Sequence, residues 1–483
     1  MAEQDLLSDQ ILSVNPATGE VVARFEAHTP EQVEEAVAQS VAAFRDWRDR
    51  TLDERGGLLY AAAELLRQRT DSYARLVTEE MGKPISQAKV ELARCAGHFD
   101  FYADHAAGYL GDEPVATSAE RSFIRYEPLG PVLAVMPWNF PFSQVSRFAA
   151  AAMMAGNTCL LKHASNVSRC ALAIEELLTD AGLPPGVFRT LLLPARRVRP
   201  LIEDPRIRAV TVTGSSEAGA QIAAAAGGAL KKCVLELGGS DPFVVLADAD
   251  IPRAAAAAAQ TRLSNSGQAC AAGKRFIVER PAARDFEDMF ARAIAGRKVG
   301  DPLDPATDVG PLARADLVDV LDRQVAESVA MGARVVTGGR RRPGPGNYYE
   351  PTLLADCTPR MPVLREETFG PVAAMVPAAG ADEAIELAND TPYGLAASIW
   401  TGDLELAGTL ARRVEAGSVF INGVVASDPR VPFGGLKRSG FGRENGQFGI
   451  REFVNVQAVV VGGYGARSQV GRQPESDSTR RNT

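Results

Sequence analysis

Two kinds of hydrophobic pattern alternate along the chain. In TPEQVEEAVAQSVAAFRDWRD (residues 29–49), Val33, Val37, Val41 and Phe44 recur at helical spacing and predict one buried helix face. Thr29, Pro30 and Gln32 open that segment as a capping box with proline at the first helical position. Other segments are apolar at nearly every position and short: GPVLAVMPW (130–138), TCLLK (158–162), AVTVTG (209–214), KCVLEL (232–237) and PFVVLAD (242–248). A run without alternation predicts a parallel strand covered on both faces, and the amphipathic or alanine-rich stretches between the runs supply the crossover helices. KRFIVE (274–279), ARVVTGG (333–339), VAAMVP (372–377) and SVFING (418–423) continue the same style.

Two segments break this rhythm. VATSAERSFIRYEPLG (115–130) alternates polar and apolar residues and predicts a hairpin. RSQVGRQPESDSTRRNT (467–483) has almost no large apolar residues and is expected to be disordered. The fold expected is α/β, with a nucleotide-type domain first and a second α/β domain after about residue 238.

Composition narrows the function. With 483 residues, 46% of them hydrophobic, the chain can build more than one core. The net charge of -8 and scattered basic residues leave no footprint for nucleic acid. No apolar run approaches the roughly 18 residues of a membrane span. The opening MAEQDLLSDQILSVNPATGE lacks the basic region of a secretory signal. The six cysteines are widely spaced without a C-x-x-C pair, and the four histidines form no ligand pattern. The expectation is therefore no metal and no disulfide framework, in a reducing cytoplasm.

Candidate chemistry sits at the strand ends. TVTGSSEAGAQI places Gly214, Ser215 and Gly219 where a strand gives way to a helix, a junction suited to a phosphate and also common in any α/β protein. LLKHAS places Lys162 and Ser165 after a strand, where they would meet a ribose or simply solvent. In NSGQACAAGKR (265–275), Cys270 is surrounded by small residues, as a nucleophile needs and as an inert packed thiol also allows. Glu236 in LELGGSDP is a candidate base or a salt-bridged structural carboxylate. Asn139 in VMPWNFPFSQ is an oxyanion donor or a turn residue.

PWNFP, LLKHAS, TGSSEAG, LELGG, GQAC, EETFGP, NDTPYGL and PFGGLKRSGFGRE occur in an order that resembles the NAD(P)-dependent aldehyde dehydrogenase superfamily, from about residue 12 to 460. LELGGSDPF and the NG…ASD loop are most similar to the bacterial succinate-semialdehyde dehydrogenases. The resemblance implies a Rossmann-type cofactor domain (1–107 and 128–238) and an α/β catalytic domain (239–438). It also implies a small β oligomerisation element (108–127 and 453–464) that would join a homodimer or homotetramer.

It further implies residue roles. Cys270 would be the nucleophile, Asn139 and the Cys270 N–H the oxyanion donors, and Glu236 the base for thioester hydrolysis. Trp138, Lys162, Ser165, Gly214, Ser215, Gly219, Glu367 and Phe369 would hold the cofactor. Glu444 would help move protons or water.

Two departures from the family pattern matter. Ser165 stands where many NAD-preferring members have glutamate, so a charge that would repel a 2′-phosphate is absent, which points towards NADP or dual use with NAD. For a succinate-semialdehyde substrate, Arg147 matches one carboxylate-binding arginine, but Ser264 stands where a second is often found. Ser427 or Arg430 in ASDPRV (426–431) would have to complete the clamp. The alternatives are another polar or acidic aldehyde, a coenzyme A acceptor, acyl-phosphate reduction, or a non-catalytic binding protein on the same fold. Glu236 opposes the second and third, and the presence of both nucleophile and base opposes the last.

Overall fold

The computed structural model describes residues 10–464, so the predicted tail at 467–483 lies outside the described residues. A hairpin of β1 (Gln10–Val14) and β2 (Val21–Glu26) precedes helix Pro30–Arg48. That helix begins where the capping box placed it, with the Thr29 side chain accepting from the Gln32 N–H and Gln32 returning the bond. Helices Leu52–Gln68, Thr70–Met81 and Ile85–Leu110 follow. Short β3 (Glu113–Pro114) and β4 (Arg121–Pro128) then form an antiparallel hairpin whose first strand lies just ahead of the predicted 115–130 segment.

The first large sheet contains β5 (Pro131–Met136), β6 (Thr158–His163), β7 (Phe188–Thr190), β8 (Ala209–Thr213) and β9 (Lys232–Glu236), all parallel. The second contains β10 (Asp241–Val245), β11 (Gly273–Glu279), β12 (Arg334–Thr337), β13 (Thr352–Ala355), β14 (Val372–Ala378), β15 (Ala396–Trp400) and β16 (Ser418–Ile421), in the order β12-β13-β14-β11-β10-β15-β16. The chain returns with β17 (Gly440–Phe441) to cover the edge of the first sheet, giving β17-β9-β8-β5-β6-β7. Finally β18 (Val454–Val461) pairs antiparallel with β4 along its whole length.

The doubly apolar runs of β5, β6, β8, β10, β11 and β14 are buried nearly throughout, as expected for parallel strands between helix layers. Two runs behave differently. ARVVTGG forms β12, which pairs antiparallel with β13, and its Arg334 and Val335 are exposed. SVFING forms the opposite edge, β16, half-buried along most of its length. An edge strand has a neighbour on one side only, and there β-branched residues persist without full burial.

The division between the two sheets falls at Gly238-Gly239. A side chain on Gly238 would overlap the Glu367 carboxylate, and one on Gly239 would meet the Cys270 carbonyl at 2.8 Å. Glycine here lets the linker run against two site residues at once.

Candidate active site

The parallel strands of the first sheet deliver the predicted residues at their carboxyl ends, where open α/β sheets bind ligands. Trp138 and Asn139 follow β5, Lys162 is on β6, Gly214 and Ser215 follow β8, and Glu236 ends β9. Ser215 caps helix Ser216–Gly228 by accepting from the Ala218 N–H at 3.2 Å. Open space surrounds Gly214, so a ligand can approach the backbone and the helix N-terminus. Gly219 serves packing instead. A side chain added there would overlap Leu237, so this glycine seats the helix on the sheet.

Lys162 is buried, makes no hydrogen bond or ion pair with any described residue, and burial pulls its pKa down to about 8. A buried ammonium without a partner fits a site built for hydroxyl or phosphate oxygens. Trp138 and Phe369 meet edge to face, with centroids 5.6 Å apart. Glu367 accepts from Lys274 Nζ at 2.6 Å and from the Gly239 N–H at 3.1 Å, both through Oε1. Open glycine, capped helix, unpartnered lysine and aromatic pair together suit a dinucleotide lying across the strand ends.

Cys270 lies between helix Ile251–Leu263 and β11. The turn before it is unusual: Asn265 and Ser266 both have φ 54° and Gly267 has φ 76°. Left-handed backbone costs a non-glycine residue about 1–3 kcal/mol and persists only where neighbours hold it. They do. Asn265 donates from Nδ2 to the carbonyls of Asn139 (2.8 Å) and Gln268 (3.0 Å), and Ser266 Oγ exchanges bonds with the Gly310 backbone. Asn139 donates from Nδ2 to the Gln268 carbonyl at 3.1 Å, so the predicted oxyanion donor is tied directly to the nucleophile loop.

Lys274, fully buried, donates to the Gly239, Cys270 and Glu367 oxygens and joins the thiol loop, the linker and the Glu367 carboxylate. Burial pushes the Cys270 thiol up to about 12, although Arg147 and Lys274 pull it down.

A cavity of about 430 Å³ opens onto Cys270. Arg147, Ser264 and Ser427 line it, whereas Arg430 pairs with its exposed neighbour Asp428 and does not. Asn139 and Glu236 do not line it either. Arg147 is buried and ion-paired with buried Glu444, donates to Gln144 at 2.6 Å and lies over the Phe433 ring at 4.9 Å. Glu236 is buried with neither oxygen hydrogen-bonded. Burial first, and the charge of Glu444 second, raise its pKa well above the usual carboxylate range.

The model of the aldehyde dehydrogenase family matches residues 3–459. The chain belongs to that family. Among relatives of this aldehyde dehydrogenase, a succinate semialdehyde dehydrogenase of Escherichia coli, named as using NAD(P)+, is 50% identical over 448 residues, 93% of this chain and 97% of that protein. A succinate-semialdehyde dehydrogenase (NADP+) of Mycobacterium ulcerans is 47% identical over 456 residues, covering 94% and 100%. The crystal structure of succinic semialdehyde dehydrogenase from Streptococcus pyogenes in complex with NADP+ superposes with a TM-score of 0.92 at 36% identity, covering 94% of this chain and 100% of that one.

Two groups at this dehydrogenase's site have no role in the sequence motifs. Lys274 stood beside GQAC without an assigned role, and Arg94 on helix Ile85–Leu110 lines the cavity though it belongs to no motif.

Proposed function

We propose that this aldehyde dehydrogenase oxidises succinate semialdehyde to succinate with NADP+ or NAD+, through a covalent intermediate on Cys270. The observation that carries the proposal is a cavity that reaches Cys270 and is lined by arginines, a wall that favours an aldehyde with an anionic tail. The names of the relatives described above agree with it. Ser165 in place of an acidic residue favours acceptance of NADP+.

In the proposed mechanism the Cys270 thiolate attacks the aldehyde carbon, and the new oxyanion takes hydrogen bonds from Asn139 Nδ2 and the Cys270 N–H. NADP+ or NAD+ bound at the strand ends of the first sheet would supply the hydride acceptor for this oxidation. Glu236, ionised at that stage, takes a proton from the water that cleaves the resulting thioester. Neither Glu236 oxygen is committed to a protein donor, which supports that role. Lys162, Ser215 and Glu367 would hold the cofactor, with Trp138 and Phe369 against it.

The division into cofactor, catalytic and oligomerisation regions is retained as part of this proposal. The outer edge of β18, with Val456, Val460 and Val461 exposed, supports a homo-oligomer, and light scattering that returned only the single-chain mass would overturn that. No helix among the described residues is long and apolar enough to cross a membrane. With the six cysteines unpaired, the proposed location is the cytoplasm.

The test is kcat/KM for succinate semialdehyde and for butanal, each with NADP+ and with NAD+. A preference for the acid of at least about tenfold is expected. Equal values would remove succinate semialdehyde as the substrate.

A further inference from the structure

A second arginine faces the Cys270 cavity from a helix that contributes no motif. Helix Ile85–Leu110 turns Gln87, Val90, Glu91 and Arg94 toward the cavity, at helical steps of three, four and seven residues. The other polar members of this stripe already have partners. Gln87 accepts from the Asn265 N–H at 2.7 Å and donates to the Asp308 carbonyl at 2.8 Å. Glu91 is ion-paired with buried Lys83, and its second oxygen accepts from two backbone N–H groups at 3.0 and 3.1 Å. Across the cavity, Arg147 is neutralised by Glu444.

Arg94 is different. Among the described cationic side chains that line the cavity, it alone has neither an ion pair nor a hydrogen bond. The Lys83 and Arg147 charges are cancelled by their own carboxylates, so Arg94 leaves the cavity with one uncompensated positive charge. A half-buried guanidinium without a partner has lost hydration and gained no contact in return. An anion entering the cavity would restore what it lacks.

We propose that Arg94 binds the distal carboxylate of the aldehyde substrate and supplies the anchor that Ser264 cannot. This rests on the substrate being a carboxylated aldehyde. Ser264, at the C-terminal end of helix Ile251–Leu263, lines the same cavity with a side chain too small to occupy an arginine's place. The planar guanidinium offers paired N–H donors matched to both carboxylate oxygens, which a lysine ammonium does not reproduce. Arg147, tied to Glu444 and Gln144, then serves as a fixed wall with its remaining N–H groups, and Arg94 provides the charge.

The experiment compares kcat/KM for succinate semialdehyde with that for butanal, as a ratio within each enzyme, so that loss of folded protein cancels. Arg94→Gln should lower the ratio about tenfold or more, chiefly through KM for the acid, and Arg94→Lys should lower it less. Adding Ser264→Arg to Arg94→Gln should recover part of the preference. A clear acid preference in the wild-type enzyme that Arg94→Gln keeps to within about twofold would overturn the assignment of Arg94 alone. A wild-type ratio near one would overturn the substrate reading and this proposal with it.

Discussion

Arg147 and Glu444 form a buried ion pair, and both act electrostatically on Glu236. The carboxylate of Glu444 raises the Glu236 pKa, while the guanidinium of Arg147 lowers it. As the proposed base, Glu236 would have to be ionised to accept a proton from water, so its pKa would set the acid limb of the rate profile. Glu444→Gln removes the negative charge and leaves Arg147 uncompensated, and both changes favour ionised Glu236. The acid limb of kcat should therefore move to lower pH in this variant, measured at saturating substrate between about pH 5 and 9. An unmoved limb would mean that Glu236 is not the titrating base.

The thiol of Cys270, its pKa pushed up to about 12, is protonated at neutral pH in the free enzyme. Only the thiolate reacts with iodoacetamide, so the alkylation rate without cofactor should rise about tenfold per pH unit from pH 7 to 10. Mass spectrometry of the labelled peptide, with Cys270→Ala as control, follows the residue directly. A rate that levelled off near neutrality would show that Arg147 and Lys274 overcome burial. Cys270→Ala should also abolish aldehyde oxidation while cofactor binding persists.

Lys274 holds three oxygens from three segments. Lys274→Met keeps much of the volume but leaves two carbonyls and the Glu367 carboxylate without this donor. Removing one partner of a buried ion pair is strongly destabilising, and since Glu367 is partly exposed a loss of roughly 3 kcal/mol is expected in urea unfolding. Because Glu367 would no longer be fixed, KM for the cofactor should rise as well. A variant as stable as the wild type with an unchanged cofactor KM would show that the linkage is incidental.

The candidate nucleophile, base and oxyanion donor could be singled out because each lies in a local string at a strand end or turn, and their proposed roles came from the family resemblance. Cys270, Glu236 and Asn139 needed no knowledge of distant contacts. Arg94 and the Arg147–Glu444 pair were not legible in that way. ELARCAG reads as an ordinary helix, and only tertiary packing decides that its arginine lines the cavity that reaches Cys270 while its neighbour Cys95 is buried. Similarly, ARVVTGG and KRFIVE look alike in sequence, and the edge position that exposes the first is a property of the assembled sheet.

Gly219 bears on how the cofactor-side helix is seated. A Cβ at this position would overlap the Leu237 side chain, closer than nonbonded atoms tolerate, so either the helix lifts or Leu237 turns away. Leu237 is buried and has little room to turn, so Gly219→Ala should destabilise by about 1–3 kcal/mol. If that contact is the whole cause, the double variant Gly219→Ala/Leu237→Ala should be more stable than the sum of the two single losses predicts. Urea unfolding of all four proteins closes the cycle. Strict additivity would place the clash elsewhere. A helix lifted by the clash would carry the Ser215 cap with it, so cofactor KM should follow stability across the set, worse in Gly219→Ala and partly recovered in the double variant.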